Sequence, residues 1–173
     1  MTATEEQHIC LVGLSGSGKS TVGPILASQL GLGACVDLDM VIEQRLGSSA
    51  SKIFAEQGEG VFRQCESEAL QEALAGPVAV IATGGGVVLE QTNRMLLSSR
   101  ATVIWLRCSV VDLADRLQDS EGSRPLLSGD LEFALHRLAE ERNALYAGVA
   151  DLVFDVDGLD PRAVSDAIIE ALS

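Results

Sequence analysis

Gly13-Leu14-Ser15-Gly16-Ser17-Gly18-Lys19-Ser20-Thr21 follows an apolar run, Ile9-Cys10-Leu11-Val12, and leads into a stretch with apolar residues at Val22, Ile25, Leu26 and Leu30. Set between a strand and an amphipathic helix, these nine residues fit G-x-x-x-x-G-K-[ST], the pattern of a phosphate-binding loop. Glycines at 13, 16 and 18 let the backbone curl with its N–H groups inward. The helix that begins near Lys19 adds the positive end of its dipole to the same cavity. Gly16, Ser17, Gly18, Lys19, Ser20 and Thr21 are therefore the expected nucleotide-binding residues. Lys19 would be a point charge between the β- and γ-phosphates, and the Ser20 hydroxyl a ligand of the magnesium ion bridging them.

Beyond this loop, four further short apolar runs, 34–36, 78–82, 101–106 and 152–156, alternate with helical patterns. Helical periodicity fits 19–30, 40–46, 49–57, 61–75, 89–98, 110–118, 130–147 and 161–172. Continuous apolar runs separated by helices predict buried parallel strands joined by right-handed crossovers. The expected fold is α/β: a three-layer P-loop NTPase fold, its five-stranded parallel sheet flanked by helices. One domain over residues 1–173 accounts for the whole chain, with an acceptor-binding region at about 38–66. The long polar stretch 118–130 carries Arg124-Pro125-Leu126-Leu127 between two helices and is expected to act as a mobile lid.

With 173 residues, 47 % of them apolar, the chain can fill a single core, and no stretch approaches the roughly 20 apolar residues of a membrane span. The polar, acidic N-terminus lacks the basic start and apolar run of a secretory signal, so a cytoplasmic location is expected. Cys10, Cys35, Cys65 and Cys108 are scattered and read as reduced core thiols; His8 and His136 read as structural or surface residues. A net charge of −13 argues against nucleic-acid and anionic-membrane partners, which demand a clustered basic face. No long apolar helix face stands out for self-association, so a monomer is expected.

A second set of residues suits an acceptor site. Asp37-Leu38-Asp39 falls at the carboxyl end of the second strand, where open parallel sheets bind ligands. Strand alternation would direct both aspartates to one side. One could then reach the magnesium shell through water, while the other accepts a hydrogen bond from a substrate hydroxyl; the competing reading makes Asp39 a helix N-cap. Gly58-Glu59-Gly60-Val61-Phe62-Arg63-x-x-Glu66 sets an arginine and a glutamate three residues apart on one helix face, by itself an ordinary surface pair. Thr83-Gly84-Gly85-Gly86 closes the third strand, where many P-loop proteins carry a magnesium-associated aspartate. Three glycines there let the main chain approach a ligand and offer it N–H donors. Arg124 and Arg142 complete the inventory, as guanidinium forks for a carboxylate or phosphate or, in the plainer reading, as solvated surface side chains.

In order and spacing, these motifs resemble the shikimate kinases from residue 9 to the last helix. The resemblance is carried by residues 13–21, Asp37 and Asp39, Ile53-Phe54, Gly58-Glu59, Phe62-Arg63-x-x-Glu66, the triple glycine 84–86, Arg124-Pro125-Leu126-Leu127 and Glu141-Arg142-x-x-Leu145-Tyr146. It implies transfer of the γ-phosphoryl of ATP to the 3-hydroxyl of shikimate, with magnesium as cofactor, in aromatic amino-acid synthesis. Lys19, Asp39 and Arg124 would be the catalytic residues, Asp39 contacting the accepting hydroxyl and Arg124 swinging in with the lid. Arg63 and Arg142 would hold the shikimate carboxylate, with backbone contacts from Gly84, Gly85 and Gly86. Ser20 and Asp37 would serve the magnesium, and Arg116 would pack against adenine. Phe54, Phe62, Glu66 and Leu127 would line or brace the pocket. Two rival readings are a gluconate-type polyol kinase, with less use for the arginine clamp, and a non-catalytic nucleotide-binding module, which would need the loop alone.

Overall fold

Apolar residues on both faces of one strand place that strand in the middle of a sheet, and β1 (His8–Val12) is buried along its whole length. The structure, a computed structural model, describes residues 7–118 and 130–173. After β1 come α1 (Lys19–Leu30), β2 (Val36–Asp37), α2 (Leu38–Leu46), α3 (Ala50–Gln57) and α4 (Glu59–Ala75). β3 (Val80–Ala82), a 3₁₀ turn (Val87–Leu89), α5 (Gln91–Arg100), β4 (Ala101–Arg107) and α6 (Val110–Gln118) follow, then α7 (Leu131–Val149), β5 (Leu152–Asp155) and α8 (Pro161–Leu172). The five strands pair in parallel in the order β2-β3-β1-β4-β5.

The two faces of the sheet hold separate apolar layers. Ile9 and Leu11 pack with Val22, Leu26 and Ile168 of α1 and α8. Cys10 and Val12 join Leu38, Phe62, Leu70, Leu97 and Tyr146 from the helices on the other side. Each fully buried aliphatic side chain contributes about 1.5–3 kcal/mol, so this alternation along β1 ties both helical layers to one strand. The parallel α/β architecture is therefore as the apolar runs predict. All four cysteines are free thiols, Cys10 buried and the others half-buried. No helix of the described residues is long and apolar enough to cross a membrane.

At Asp37 the structure corrects the strand-alternation reading. β2 ends there, and the Asp37 carboxylate caps α2 by accepting the Met40 N–H at 3.2 Å. An unpaired N–H at a helix start is best met by such a side chain, so the chain turns helical at Leu38 instead of extending to Asp39. Asp39 thus stands in the first turn of α2, and the cap is Asp37, not Asp39. The lid stretch, apart from its end residues Gln118 and Asp130, lies outside the described residues, as does Arg124.

Candidate active site

The phosphate-binding loop is shaped by close approach. Gly13 has φ 146°, and a Cβ there would lie 2.6 Å from the Leu106 carbonyl oxygen and 2.9 Å from Ser17 Oγ, so only glycine fits where the loop passes β4. Gly18, at φ 99°, begins α1 without a side-chain cap, which leaves the first N–H groups of the helix directed at the loop cavity. Lys19 Nζ donates to the carbonyls of Gly13 at 2.7 Å and Leu14 at 2.9 Å, curling the ammonium over the loop. Ser20 Oγ donates to Asp37 Oδ2 at 2.5 Å, so both residues expected at the metal stand together. A hydroxyl and a carboxylate are hard oxygen donors, the set that suits magnesium.

Arg116 flanks the same loop. Its guanidinium donates to the Gly16 carbonyl at 3.4 Å and the Val156 carbonyl at 2.7 Å, and its Nε lies 2.7 Å from Asp112 Oδ2. The arginine expected at the adenine is therefore beside the nucleotide loop, tying it to the segment after β5. Thr21 lies exposed in the first turn of α1.

Across the loop, the triple glycine is where the residues expected at the acceptor converge. A Cβ on Gly84 would collide with Glu66 Oε1 and lie 2.9 Å from Asp39 Oδ1. One on Gly85 would stand 3.3 Å from the Ser15 nitrogen and 3.5 Å from Arg142 Nη1, and one on Gly86 would fall inside the Arg63 guanidinium. Asp39, Glu66, Arg63, Arg142 and the phosphate loop are thus brought together on three consecutive alpha carbons. Thr83 sets their position, its hydroxyl donating to the Leu11 carbonyl at 2.8 Å and so tying β3 to the strand that feeds the loop.

The Arg63–Glu66 pair is buried, which corrects the surface-pair reading. Their side chains are only 10 % and 1 % exposed, and Arg63 Nη1 donates to Glu66 Oε2 at 2.9 Å. Glu59, one turn earlier, accepts from Arg63 Nε and Nη2 at 3.3 and 3.2 Å, and the guanidinium lies over the rings of Phe54 and Phe62. Glu59 as a second partner was legible as a glutamate four residues before an arginine, since that spacing aligns them on a helix. Burial pushes the Glu66 carboxyl up; Arg63 opposes the shift, Asp39 adds to it and Arg142 opposes it again. Of four buried side-chain polar atoms without a hydrogen-bond partner among the described residues, two lie in this cluster, Glu66 Oε1 and Arg142 Nε, the latter 3.8 Å from a Glu141 carboxylate oxygen. Buried orphans of this kind mark places where a polar ligand would be welcome.

A sequence model for the family described as "Shikimate kinase" matches residues 15–173. The shikimate kinase of Gloeobacter violaceus is 45 % identical over 159 residues, 91 % of this chain and 88 % of that one. The chain belongs to the shikimate kinase family. Among solved structures, the shikimate kinase from Acinetobacter baumannii in complex with shikimate superposes with TM-score 0.92 at 33 % identity, covering 98 % of this chain and 94 % of that one. A gluconokinase from Sinorhizobium meliloti also superposes, over 97 % of this chain and 92 % of its own, but with TM-score 0.65 and 16 % identity it shares the fold alone. Shikimate kinase membership agrees with a site that clusters Arg63 and Arg142 around the triple glycine, as a carboxylate-bearing acceptor requires.

The close contact at Gly86 yields a direct expectation. Gly86→Ala would force the Arg63 guanidinium to leave both glutamates, because an added Cβ takes its space. The expected cost is about 1–3 kcal/mol of folding stability, with at least a tenfold rise in acceptor KM. Urea unfolding and steady-state kinetics check both; a variant with wild-type stability and KM would show that Arg63 relaxes freely.

Proposed function

We propose that this protein is an ATP-dependent shikimate kinase that transfers the γ-phosphoryl group to the 3-hydroxyl of shikimate. The observation that carries the reading is the juxtaposition of two buried arginines, Arg63 and Arg142, with Asp39 around a triple glycine that abuts the phosphate-binding loop. Paired guanidinium forks suit a carboxylate, and a carboxylate beside them would give Arg142 Nε the hydrogen bond that Glu141, at 3.8 Å, does not make. Held there by its carboxylate, shikimate would present a hydroxyl to Asp39, which orients it or accepts its proton.

Phosphoryl transfer spreads charge over the moving group, so most of the catalytic task is positioning and electrostatic stabilisation. Lys19 would exchange the Gly13 and Leu14 carbonyls for phosphate oxygens, a stronger charge-assisted contact. Loop N–H groups at Gly16, Gly18, Lys19 and Ser20 would complete the cradle, those of Ser17 and Thr21 being donated to the Leu14 and Gly18 carbonyls, and Arg124 would approach the transferring group with the lid. Ser20 and Asp37 would hold the magnesium, which when bound neutralises charge on the β- and γ-oxygens. Arg116 would flank the adenine. The reading includes a monomer working in the cytoplasm, without nucleic-acid or membrane partners.

The test is ADP release at neutral pH with ATP and magnesium, comparing shikimate, gluconate and no added acceptor. Stimulation by shikimate alone is the expected result. Stimulation by gluconate, another carboxylate-bearing acceptor, would overturn the shikimate assignment, and ATP binding without turnover would favour a non-catalytic module.

A further inference from the structure

Tyr146 plays no part in the transfer just described, yet it is fully buried behind the acceptor cluster. Its ring packs against Trp105 with centroids 5.7 Å apart, and its hydroxyl donates to the Gly85 carbonyl. Arg142 lies one turn earlier on the same face of α7. Burial pushes the phenol well above its ordinary value against the opposing charge of Arg142, with which the hydroxyl also hydrogen-bonds, so it remains a neutral donor.

The partner of that hydroxyl belongs to an unusual turn. Residues 84–87 close on themselves through the Val87 N–H and the Gly84 carbonyl at 3.2 Å, and Gly86 has φ −95° and ψ 4°. These are the values of the third residue of a type I turn. A type II turn keeps the same closing bond, rotates the central peptide by about 180° and places its third residue at φ near +80°, where glycine rests at little cost. With glycine at both central positions, local sequence permits either form. The two differ in one functional respect. A trans peptide points its C=O and N–H in opposite directions, so whatever holds the Gly85 oxygen also aims the Gly86 N–H.

We propose that Tyr146 is a positioning residue whose hydroxyl, by binding the Gly85 carbonyl, holds the turn at 84–87 in its type I form and so aims the Gly86 N–H at the acceptor anion beside Arg63. A flipped peptide would present a carbonyl oxygen where that N–H stands and would repel a carboxylate. Backbone donors help most when fixed before the ligand arrives, and three glycines in a row cannot fix themselves. The assignment also explains why a polar hydroxyl is retained in an apolar layer between Trp105 and α7, since a buried hydroxyl is tolerated where it has a partner.

The inference rests on the acceptor reading for its kinetic arm, whereas its spectroscopic arm is independent. Tyr146→Phe keeps the ring and removes the hydroxyl, which is both the donor to Gly85 and a hydrogen-bond partner of Arg142, so the Gly86 amide resonance and not KM alone carries the test. Expected results are a roughly tenfold rise in KM for shikimate with KM for ATP within twofold, and a displaced or exchange-broadened Gly86 amide resonance in the nitrogen-15-labelled protein. p-Aminophenylalanine at position 146 restores an N–H donor and is expected to reverse both changes. A folded variant with an unmoved Gly86 resonance, or with both KM values raised equally, would overturn the proposal. Should the variant fail to fold, the unmodified protein decides: millisecond exchange at its Gly86 amide would mean that the turn is not held. Absence of shikimate turnover by the unmodified enzyme would instead remove the acceptor reading and leave the amide result standing.

Discussion

Replacing Asp39 with asparagine is expected to lower turnover by about 10²-fold or more while leaving nucleotide affinity nearly unchanged. Asparagine keeps the size of the side chain but accepts no proton and carries no charge toward the acceptor hydroxyl. The carboxylate stands beside Gly84 and Glu66, on the acceptor side of the phosphate loop. The Lys19 ammonium is held by the Gly13 and Leu14 carbonyls and the Ser20 hydroxyl by Asp37, contacts that the substitution does not alter directly. Steady-state kinetics with shikimate and a calorimetric titration with ADP separate the two effects. Near-normal turnover would reject the role of Asp39, and a parallel loss of ADP affinity would mean that the substitution had disturbed the loop as well.

Arg63→Met is expected to cost about 3–5 kcal/mol of folding stability at neutral pH, because it leaves Glu66 buried without its main counter-charge. The pH dependence gives this prediction its signature. Burial already lifts the Glu66 carboxyl in the folded protein, and Arg63 is the largest influence holding it down. A carboxyl raised on folding binds more protons folded than unfolded, so its stability contribution is present at low pH and lost as pH rises through the raised value. Removing Arg63 raises that value further. The deficit of the variant relative to the unmodified protein should therefore be smallest near pH 4.5, the ordinary carboxyl value, and grow toward neutrality. Urea unfolding at acid and neutral pH measures it. A deficit that does not change with pH would mean that the lost packing over Phe54 and Phe62, and not the stranded charge, sets the cost.

The phosphate loop was legible because its chemistry is local. Nine consecutive residues set the curl, the ammonium and the helix start, and no distant partner is needed to recognise them. The helices at 19–30, 110–118 and 161–172 were likewise read at their observed bounds, since apolar periodicity and the Asp160-Pro161 start belong to the segment itself. Reading failed where two local rules compete. At Asp37 to Asp39 strand alternation and helix capping make opposite demands, and the outcome depended on the Asp37 carboxylate meeting the Met40 N–H and Ser20 Oγ. One of those partners lies seventeen residues away in sequence.

Sequence by itself determined that this chain binds a nucleotide's phosphates on a parallel α/β sheet, and its motif order pointed to the shikimate kinases. Those conclusions rest on backbone geometry and apolar periodicity, which short segments carry whole. Only the tertiary structure decided that Arg63 and Glu66 form a buried pair, because the surfaces against them are Gly86 and Gly84, in the segment between β3 and the 3₁₀ turn. It likewise decided that Arg116 joins Gly16 to Val156, and that Tyr146 reaches Gly85, contacts between residues 100, 40 and 61 positions apart. Burial and charge pairing are properties of surfaces brought together by folding, and no single segment contains both sides of such a contact.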